Sequence, residues 1–416
     1  MVQLKSKVAL VTGANGLSGN AIIEHLIRTP KEEFSKIITT SRSPLGFSWQ
    51  DWRVEFVAID FLDPVEKIKA IMKEHGCEDV THAYFTSYVH KDDFSDLKDT
   101  NIPLFKNFVD SINEVAGKNL QRMSLQTGGK YYGIHKINPP ICPCPEDLPR
   151  VQDEHQFYYE QEDYIQTQAA QNGWSWTIIR PDGIIGYAPG KSGMSIALSV
   201  ALYLITCKQT GEKAKFGGNK FFWNCPENQS YAPSIADLTV WAMTQEHTKN
   251  EAFNHGNGDV VLWKTLLHRL GVLYGVEIDS EVSASGSEVK EASYSASNSF
   301  SFAGWAADKR PVWETLTEKY GGKKEAFDWA TWWFLDWAVG KAWPTMVSTN
   351  KARAYGWTRF DDSIKAFMET IRAYENGGVL PSVRDLRKGE KGNVRGGLPE
   401  VYEQGWDGTY TGPKGQ

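Results

Sequence analysis

Two stretches of the chain carry side chains that could do chemistry together. "SLQTGGKYYG" (124–133) runs from apolar residues into a glycine turn that presents Lys130, and "FYYEQED" (157–163) presents Tyr158 and Tyr159. A phenol beside an ammonium is a tunable acid and hydrogen-bond donor, because the positive charge favours the ionised phenol. A lysine one helical turn beyond the tyrosine would make such a pair. At that spacing Tyr158 meets Glu162 and Tyr159 meets Asp163, both carboxylates. Lys130 is the candidate cation instead, reaching the phenol from the opposite side. The plain alternative is a solvated lysine in a glycine turn, since most lysines are surface groups.

A second constellation is "VTGANGLSG" near the N-terminus, with Gly13, Gly16 and Gly19 at a three-residue period and Asn15, Leu17 and Ser18 between them. It follows an apolar strand-like run (7–13) and precedes a helical pattern (20–29). In that context Gly13 permits the tight turn, Gly16 lets the backbone approach a pyrophosphate, and Gly19 lets the helix pack closely on the sheet. The free N–H groups of the helix N-terminus face the phosphates. The GxxGxxG spacing is similar to that of short-chain dehydrogenase/reductases. An NAD site wants a carboxylate at the end of the second strand. Here "TTSRS" offers Ser41 and Arg42, with no acid before Asp51. A guanidinium beside a hydroxyl suits a 2′-phosphate, so the expected cofactor is NADP(H). Asp60 and Phe61 are expected at the adenine, and Ser87 and Tyr88 along the inner face of the cofactor.

These groups need a scaffold, and the first half of the chain supplies its pattern. Strand-like runs at 7–13, 35–42, 54–60, 80–88, 120–128 and 174–186 alternate with helical ones at 20–29, 64–76 and 101–115. Such alternation predicts βαβ units and an α/β fold, a Rossmann-type doubly wound parallel sheet. A smaller, mostly helical part should bind the substrate. The expected division is 1–188 for the nucleotide-binding domain, with a returning segment near 230–262. Residues 189–229 and 263–387 form the substrate-binding part, and 388–416 a flexible tail. The run 193–211 is apolar on more than one face, so it should pack inside. The serine-rich stretch 283–304 reads as a mobile loop.

"SLQTGGKYYG", "EDLPR" (146–150), "FYYEQED" and "RPDGIIGYAPG" (180–190) together resemble the progesterone 5β-reductase/iridoid synthase family. The likeness extends through "SIADLTVWAM" (234–243), "NEAFNHGNGDVVLWK" (250–264), "RPVWETLTEKYG" (310–321) and "WWFLDW" (332–337). These are atypical short-chain reductases that reduce enones and enals. The resemblance implies that Lys130 and Tyr158 form the catalytic pair and also touch the cofactor. It implies NADPH contacts at Gly16, Leu17, Ser18, Gly19, Arg42, Asp60, Phe61, Ser87, Tyr88, Gln126 and Ile184, and near Ser192, Gly193 and Met194. "GIHKINPP" (133–140) and the Gly190–Lys191 insertion depart from the family pattern.

The function implied is 1,4-reduction of a hydrophobic enone or enal, terpenoid-, polyketide- or steroid-like, by hydride transfer to the β-carbon. Alternatives on the same fold are ketone reduction, a biosynthetic cyclisation, or NADP(H) sensing without turnover. A net charge of −6 argues against nucleic acid or an anionic membrane as partner. Five cysteines and an N-terminus without an h-region point to the cytoplasm. A homodimer is left open as the assembly. Cys142 and Cys144 in "ICPCP", with His135 and His155 nearby, are too closely spaced for a zinc site, so no metal is expected. The tryptophan-rich run 328–343 lacks a basic face for a membrane surface, and Asp328 and Asp336 interrupt it. It is expected to line a greasy pocket.

Overall fold

The computed structural model describes residues 6–45, 47–91, 94–153, 155–280 and 300–388, with a short strand pair Val394–Arg395 and Leu398–Pro399. The chain alternates as the sequence pattern predicts: β1 (Lys7–Thr12), α1 (Leu17–Arg28), β2 (Phe34–Ser41), β3 (Val54–Ala58), α2 (Val65–Glu74), β4 (His82–Phe85), α3 (Phe94–Ala116), β5 (Arg122–Gln126), α4 (Phe157–Asn172) and β6 (Ser175–Pro181). Next come β7 (Gly183–Ile185), α5 (Ile196–Thr210), β8 (Ala214–Lys215), α6 (Lys220–Asn224), β9 (Gln229–Tyr231), α7 (Ala232–Thr244) and β10 (Glu251–His255). The main sheet has the order β10-β6-β5-β4-β1-β2-β3, with every pairing parallel. Because β1 lies between β2 and β4, the strand order reverses there, and a crevice opens at the carboxyl ends of the strands.

Both faces of the sheet are covered, as an all-parallel sheet requires. On one face Ile22 and Leu26 of α1 and Ala236, Val240 and Met243 of α7 pack on Val11 and Ile37. On the other, Ile68 and Met72 of α2 and Phe105, Phe108 and Ile112 of α3 pack on Leu10, Ile38 and Leu125. In α2 the buried face carries those two apolar side chains while Glu66, Lys67, Lys73 and Glu74 stay exposed, which is the amphipathic pattern read from the sequence. The helix expected at 101–115 starts earlier, at Phe94. Asn101 secures its opening turns, donating to Val89 O and Leu97 O and accepting from Val89 N–H.

The run 193–211 becomes α5, buried all round from Ile196 to Cys207. The helices Trp263–Tyr274, Arg310–Tyr320, Trp332–Val339 and Ser363–Asn376 wrap it in one aromatic-rich core. The run 174–186, expected as one strand with its exit loop, is two strands. Asp182 Oδ1 takes the Gly183 N–H at 2.9 Å, turning the chain off the main sheet. β7 then pairs with β9. The serine-rich stretch lies outside the described residues up to 299, and its last residues enter the helix Phe302–Ala306. The tail expected over 388–416 lies outside them too, apart from Lys388 and the short strand pair.

Candidate active site

A cavity of about 610 Å³ occupies the crevice at the carboxyl ends of the strands. The glycine loop forms one end. Gly13 leaves β1 at φ +69°, and a β-carbon there would lie 3.0 Å from Thr86 Oγ1. A β-carbon on Gly19 would lie 2.1 Å from Gly13 O, so only glycine lets α1 begin hard against the turn. Gly16 caps α1 without a side-chain hydrogen bond, leaving first-turn N–H groups for a ligand. Thr12 Oγ1 accepts from the N–H groups of Thr86 and Ser87 at 3.1 and 3.2 Å, tying β1 to the end of β4. Gln126 Nε2 donates to Ser18 Oγ at 2.9 Å, joining β5 to α1.

The remaining cofactor candidates line the same cavity. Asn15 sits in the loop and Leu17 opens α1, and Ser41 and Arg42 follow at the end of β2. Ser41 is buried, its Oγ donating to Ser43 O at 2.6 Å, while Arg42 is exposed. Asp60 accepts from Leu62 N–H at 3.0 Å, and Phe61 packs edge-on against Phe108. Ser87, Tyr88, Ile184, Ser192, Gly193 and Met194 line the cavity as well. Met194 holds a left-handed φ of 61°, an uncommon state outside glycine that recurs at ligand clamps. An uncapped helix N-terminus, close-packed glycines and a guanidinium at the rim fit a dinucleotide phosphate.

Lys130 and Tyr158 also line the cavity. Lys130 lies in the short turn Gly129–Tyr132 after β5, with its ammonium 5.7 Å from the centre of the Trp337 ring. Burial pushes it down to about 8. Tyr158 is buried in the first turn of α4, and a β-carbon on Gly128 would lie 3.8 Å from its hydroxyl. Burial raises the phenol well above its ordinary value. Tyr158 is therefore a neutral O–H donor.

A buried network fixes both. Arg180 of β6 pairs with Glu162 of α4 through two bonds, lies 3.4 Å from the centre of the Tyr131 ring and donates to Glu146 O at 3.1 Å. Tyr132 donates to Asn254 Oδ1 at 2.6 Å, and Tyr159 donates to Tyr131 O at 2.6 Å. Gln156 Nε2 donates to Lys130 O. The residues flanking Lys130 are thus bolted to the helix that carries Tyr158.

The helix Trp332–Val339 presents Phe334, Trp337 and Ala338 to the cavity, the first two rings stacked at 5.5 Å. The two acids that interrupt the apolar run also anchor it. Asp336 accepts the N–H groups of Phe302 and Ala303 at 2.6 and 3.0 Å, and Asp328 pairs with Arg310 at 2.5 Å. The sequence reading missed Asp182, Glu227 and Lys341, which also line the cavity. The motif "RPDGIIG" contained Asp182, but nothing in the local spacing could bring Glu227 beside Lys341. Cys144 exchanges backbone bonds with Met346 and Ser348 at 2.8 Å, so "ICPCP" serves as an edge of the fold. Among the described residues no three His, Cys, Asp or Glu side chains cluster as metal ligands, and no helix is long and apolar enough to cross a membrane.

Comparison with known proteins gives the same architecture. The model of the PRISE-like Rossmann-fold domain matches residues 9–333. The short chain dehydrogenase gsfE of Penicillium aethiopicum is 40% identical, over 90% of this chain and 99% of its own. The (S)-8-oxocitronellyl enol synthase of Catharanthus roseus is 30% identical, over 90% of this chain and 92% of its own. Among solved structures, UDP-glucose 4-epimerase of Thermotoga maritima, with UDP-glucose, aligns with a TM-score of 0.60 at 15% identity, covering 89% of this chain and 99% of its own. The Bordetella bronchiseptica enzyme WbmH in complex with NAD+ aligns at 0.58 and 15%, covering 89% and 98%. At such identities the structural likeness speaks for the fold alone.

Proposed function

The chain belongs to the PRISE-like Rossmann-fold family, and we propose that it is an NADPH-dependent reductase of activated C=C bonds, acting by 1,4-reduction on hydrophobic enones or enals. The observation that carries this is a neutral, buried tyrosine hydroxyl sharing one aromatic-walled cavity with a glycine-loop cradle. When bound, NADPH supplies hydride to the β-carbon of the substrate.

Negative charge then develops on the carbonyl oxygen. The Tyr158 hydroxyl, which makes no other hydrogen bond among the described residues, donates to that oxygen and stabilises the enolate. A preorganised donor of this kind contributes about 3–4 kcal/mol in a water-poor site. Lys130, positive below about pH 8, holds the ribose and keeps the site electropositive. Gly16, Leu17, Ser18 and Gly19 hold the pyrophosphate, Ser41 and Arg42 the 2′-phosphate, and Asp60 and Phe61 border the adenine. Phe334 and Trp337 cover the apolar body of the substrate and exclude water.

The name of the Catharanthus relative, an enol synthase, favours a second reading. In it the enolate leaves the site for cyclisation instead of being protonated in place. One experiment separates the readings: incubation with deuteride-labelled NADPH and a panel of enones and enals, with product analysis. Deuterium at the β-carbon of an open-chain saturated carbonyl is the expected result. Deuterium at the β-carbon of a cyclised product favours the second reading, and deuterium on the carbinol carbon means ketone reduction. Cofactor binding without turnover of any member overturns the reductase.

A further inference from the structure

Asp182 lines the same cavity and has no role in the function proposed above. It follows β6 directly, and the loop holds it firmly: its N–H donates to Ser230 Oγ at 3.0 Å and its Oδ1 accepts from Gly183 N–H. Oδ2 is sealed from solvent and has no hydrogen-bond partner among the described residues. An acceptor left this way costs about 1–3 kcal/mol, more when charged. Asp182 as a residue is half-buried on the cavity lining, so a turn of the carboxyl group would present that oxygen to a ligand donor. Burial raises the carboxyl to about 7, with Lys341 and Glu227 acting on it in opposite directions.

Those two neighbours form a fixed background. Lys341 Nζ donates to Glu227 Oε2 at 2.8 Å and to Thr345 Oγ1 at 2.9 Å, all three groups being buried. Glu227 also accepts from Trp263 Nε1 at 3.0 Å and from Gln229 Nε2. The turn Gly128–Gly129 lies between Asp182 and Tyr158. A β-carbon on Gly129 would be 3.9 Å from Asp182 Oδ1, and one on Gly128 would be 3.8 Å from the Tyr158 hydroxyl. The Asp182 carboxyl and the Tyr158 hydroxyl thus border the same two-residue turn.

We propose that Asp182, backed by the Glu227–Lys341 pair, is a substrate subsite that accepts a hydrogen bond from a free phenolic or alcoholic hydroxyl remote from the reacting carbonyl. The substrate class is then a hydroxylated enone, and this subsite rests on the enone-reductase reading. A cationic ligand fits less well, because Lys130 and Lys341 already place two ammonium groups in the cavity lining.

The test is calorimetric and needs no turnover. Protein saturated with NADP+, which has no hydride to give, is titrated with benzalacetones bearing a 3- or 4-hydroxyl, with their methyl ethers and with the unsubstituted parent. At least one hydroxylated isomer should bind wild type about 10-fold or more tighter than its ether. Asp182→Ala should reduce that preference to within about threefold, and Asp182→Asn, which keeps an acceptor oxygen, should retain part of it. Equal affinities of hydroxylated and methylated ligands for wild type, or a preference unchanged in Asp182→Ala, would overturn the subsite. Failure of all enone reduction sinks the reductase and leaves this binding comparison readable. Reduction without hydroxyl preference sinks the subsite alone.

Discussion

Glu162 and Arg180 face each other as a bidentate pair, Nε to Oε1 at 3.1 Å and Nη2 to Oε2 at 3.0 Å, both sealed from solvent. Glu162 stands one helical turn beyond Tyr158, where a lysine would complete the familiar catalytic spacing. The position is already committed to holding Arg180, and Arg180 stacks on the tyrosine next to Lys130. The carboxylate at that position therefore helps hold the turn that carries Lys130. Removing one partner of such a buried pair strands the other charge, at about 3–5 kcal/mol. Glu162→Ala should lose that much in urea unfolding. Glu162→Lys, although it rebuilds the spacing, should be no more stable and should not raise activity. A Glu162→Lys protein with wild-type stability would contradict this account.

Tyr158→Phe removes the hydroxyl and little else, because the ring remains packed against Phe157 at 4.5 Å. With the enone substrate kcat should fall by about 10²–10³, the usual effect of losing one oxyanion donor. NADPH affinity, read by fluorescence titration, should stay within about threefold. Retained turnover would return Tyr158 to a packing role.

Lys130 gives a pH signature. Its folded value lies near 8, below the ordinary 10.5. The ammonium is thus present below about pH 8 and lost above it, whereas an unburied lysine would hold its proton beyond pH 10. The value of kcat/KM for NADPH, which reports the free enzyme, should decline above pH 8. In Lys130→Arg that alkaline decline should move beyond the measurable range, since a guanidinium does not deprotonate. A profile flat to pH 9.5 in wild type would show that the charge of Lys130 does not matter to the cofactor.

The parts of this arrangement that are local in sequence were legible there. Strand-then-glycine-then-helix around Gly13, Gly16 and Gly19 is a local geometry, so the loop could be placed before any coordinates. The same holds for the all-round apolar face of α5. Lys130 and Tyr158 were singled out because one motif lacked its cation and another carried a spare, and both line the cavity. Glu227 and Lys341 were illegible: each alone reads as a surface charge, and only the fold joins β9 to the end of the Trp332–Val339 helix. Asp182 lay inside a quoted motif, yet nothing in the string says that one of its oxygens is left without a donor. Asp328 and Asp336 were legible as interruptions of the apolar run, but their partners, Arg310 and the turn at Phe302, are tertiary and were not.

Arg42 is exposed at the cavity rim after β2, so its substitution should leave the fold unaffected. If it reads the 2′-phosphate, Arg42→Ala loses charge-assisted bonds of about 1.5–3 kcal/mol, or about 10- to 100-fold in affinity for NADPH. NADH, lacking that phosphate, should lose less than about threefold. Parallel titrations of both nucleotides decide the matter, and equal losses would exclude Arg42 from the choice between them.

Asp182 should also be visible in stability. Its carboxyl is raised from an ordinary 3.8 to about 7, chiefly by burial. An acid shifted upward in the folded state holds its proton there while the unfolded chain has released it. Stability contributed at this position is therefore full below pH 4 and falls as pH rises toward 7, where the native carboxyl finally ionises. Lys341 and Glu227 are common to wild type and variant, so their own titration cancels in a difference. Asp182→Asn removes the titrating group, and its melting temperature relative to wild type should climb between pH 4 and 7, then level off. A difference that is flat across that range would mean that Asp182 ionises normally in the folded protein. A hydroxylated ligand should oppose the penalty by supplying the missing donor to the carboxylate, so at pH 8 it should raise the melting temperature of wild type more than that of Asp182→Asn.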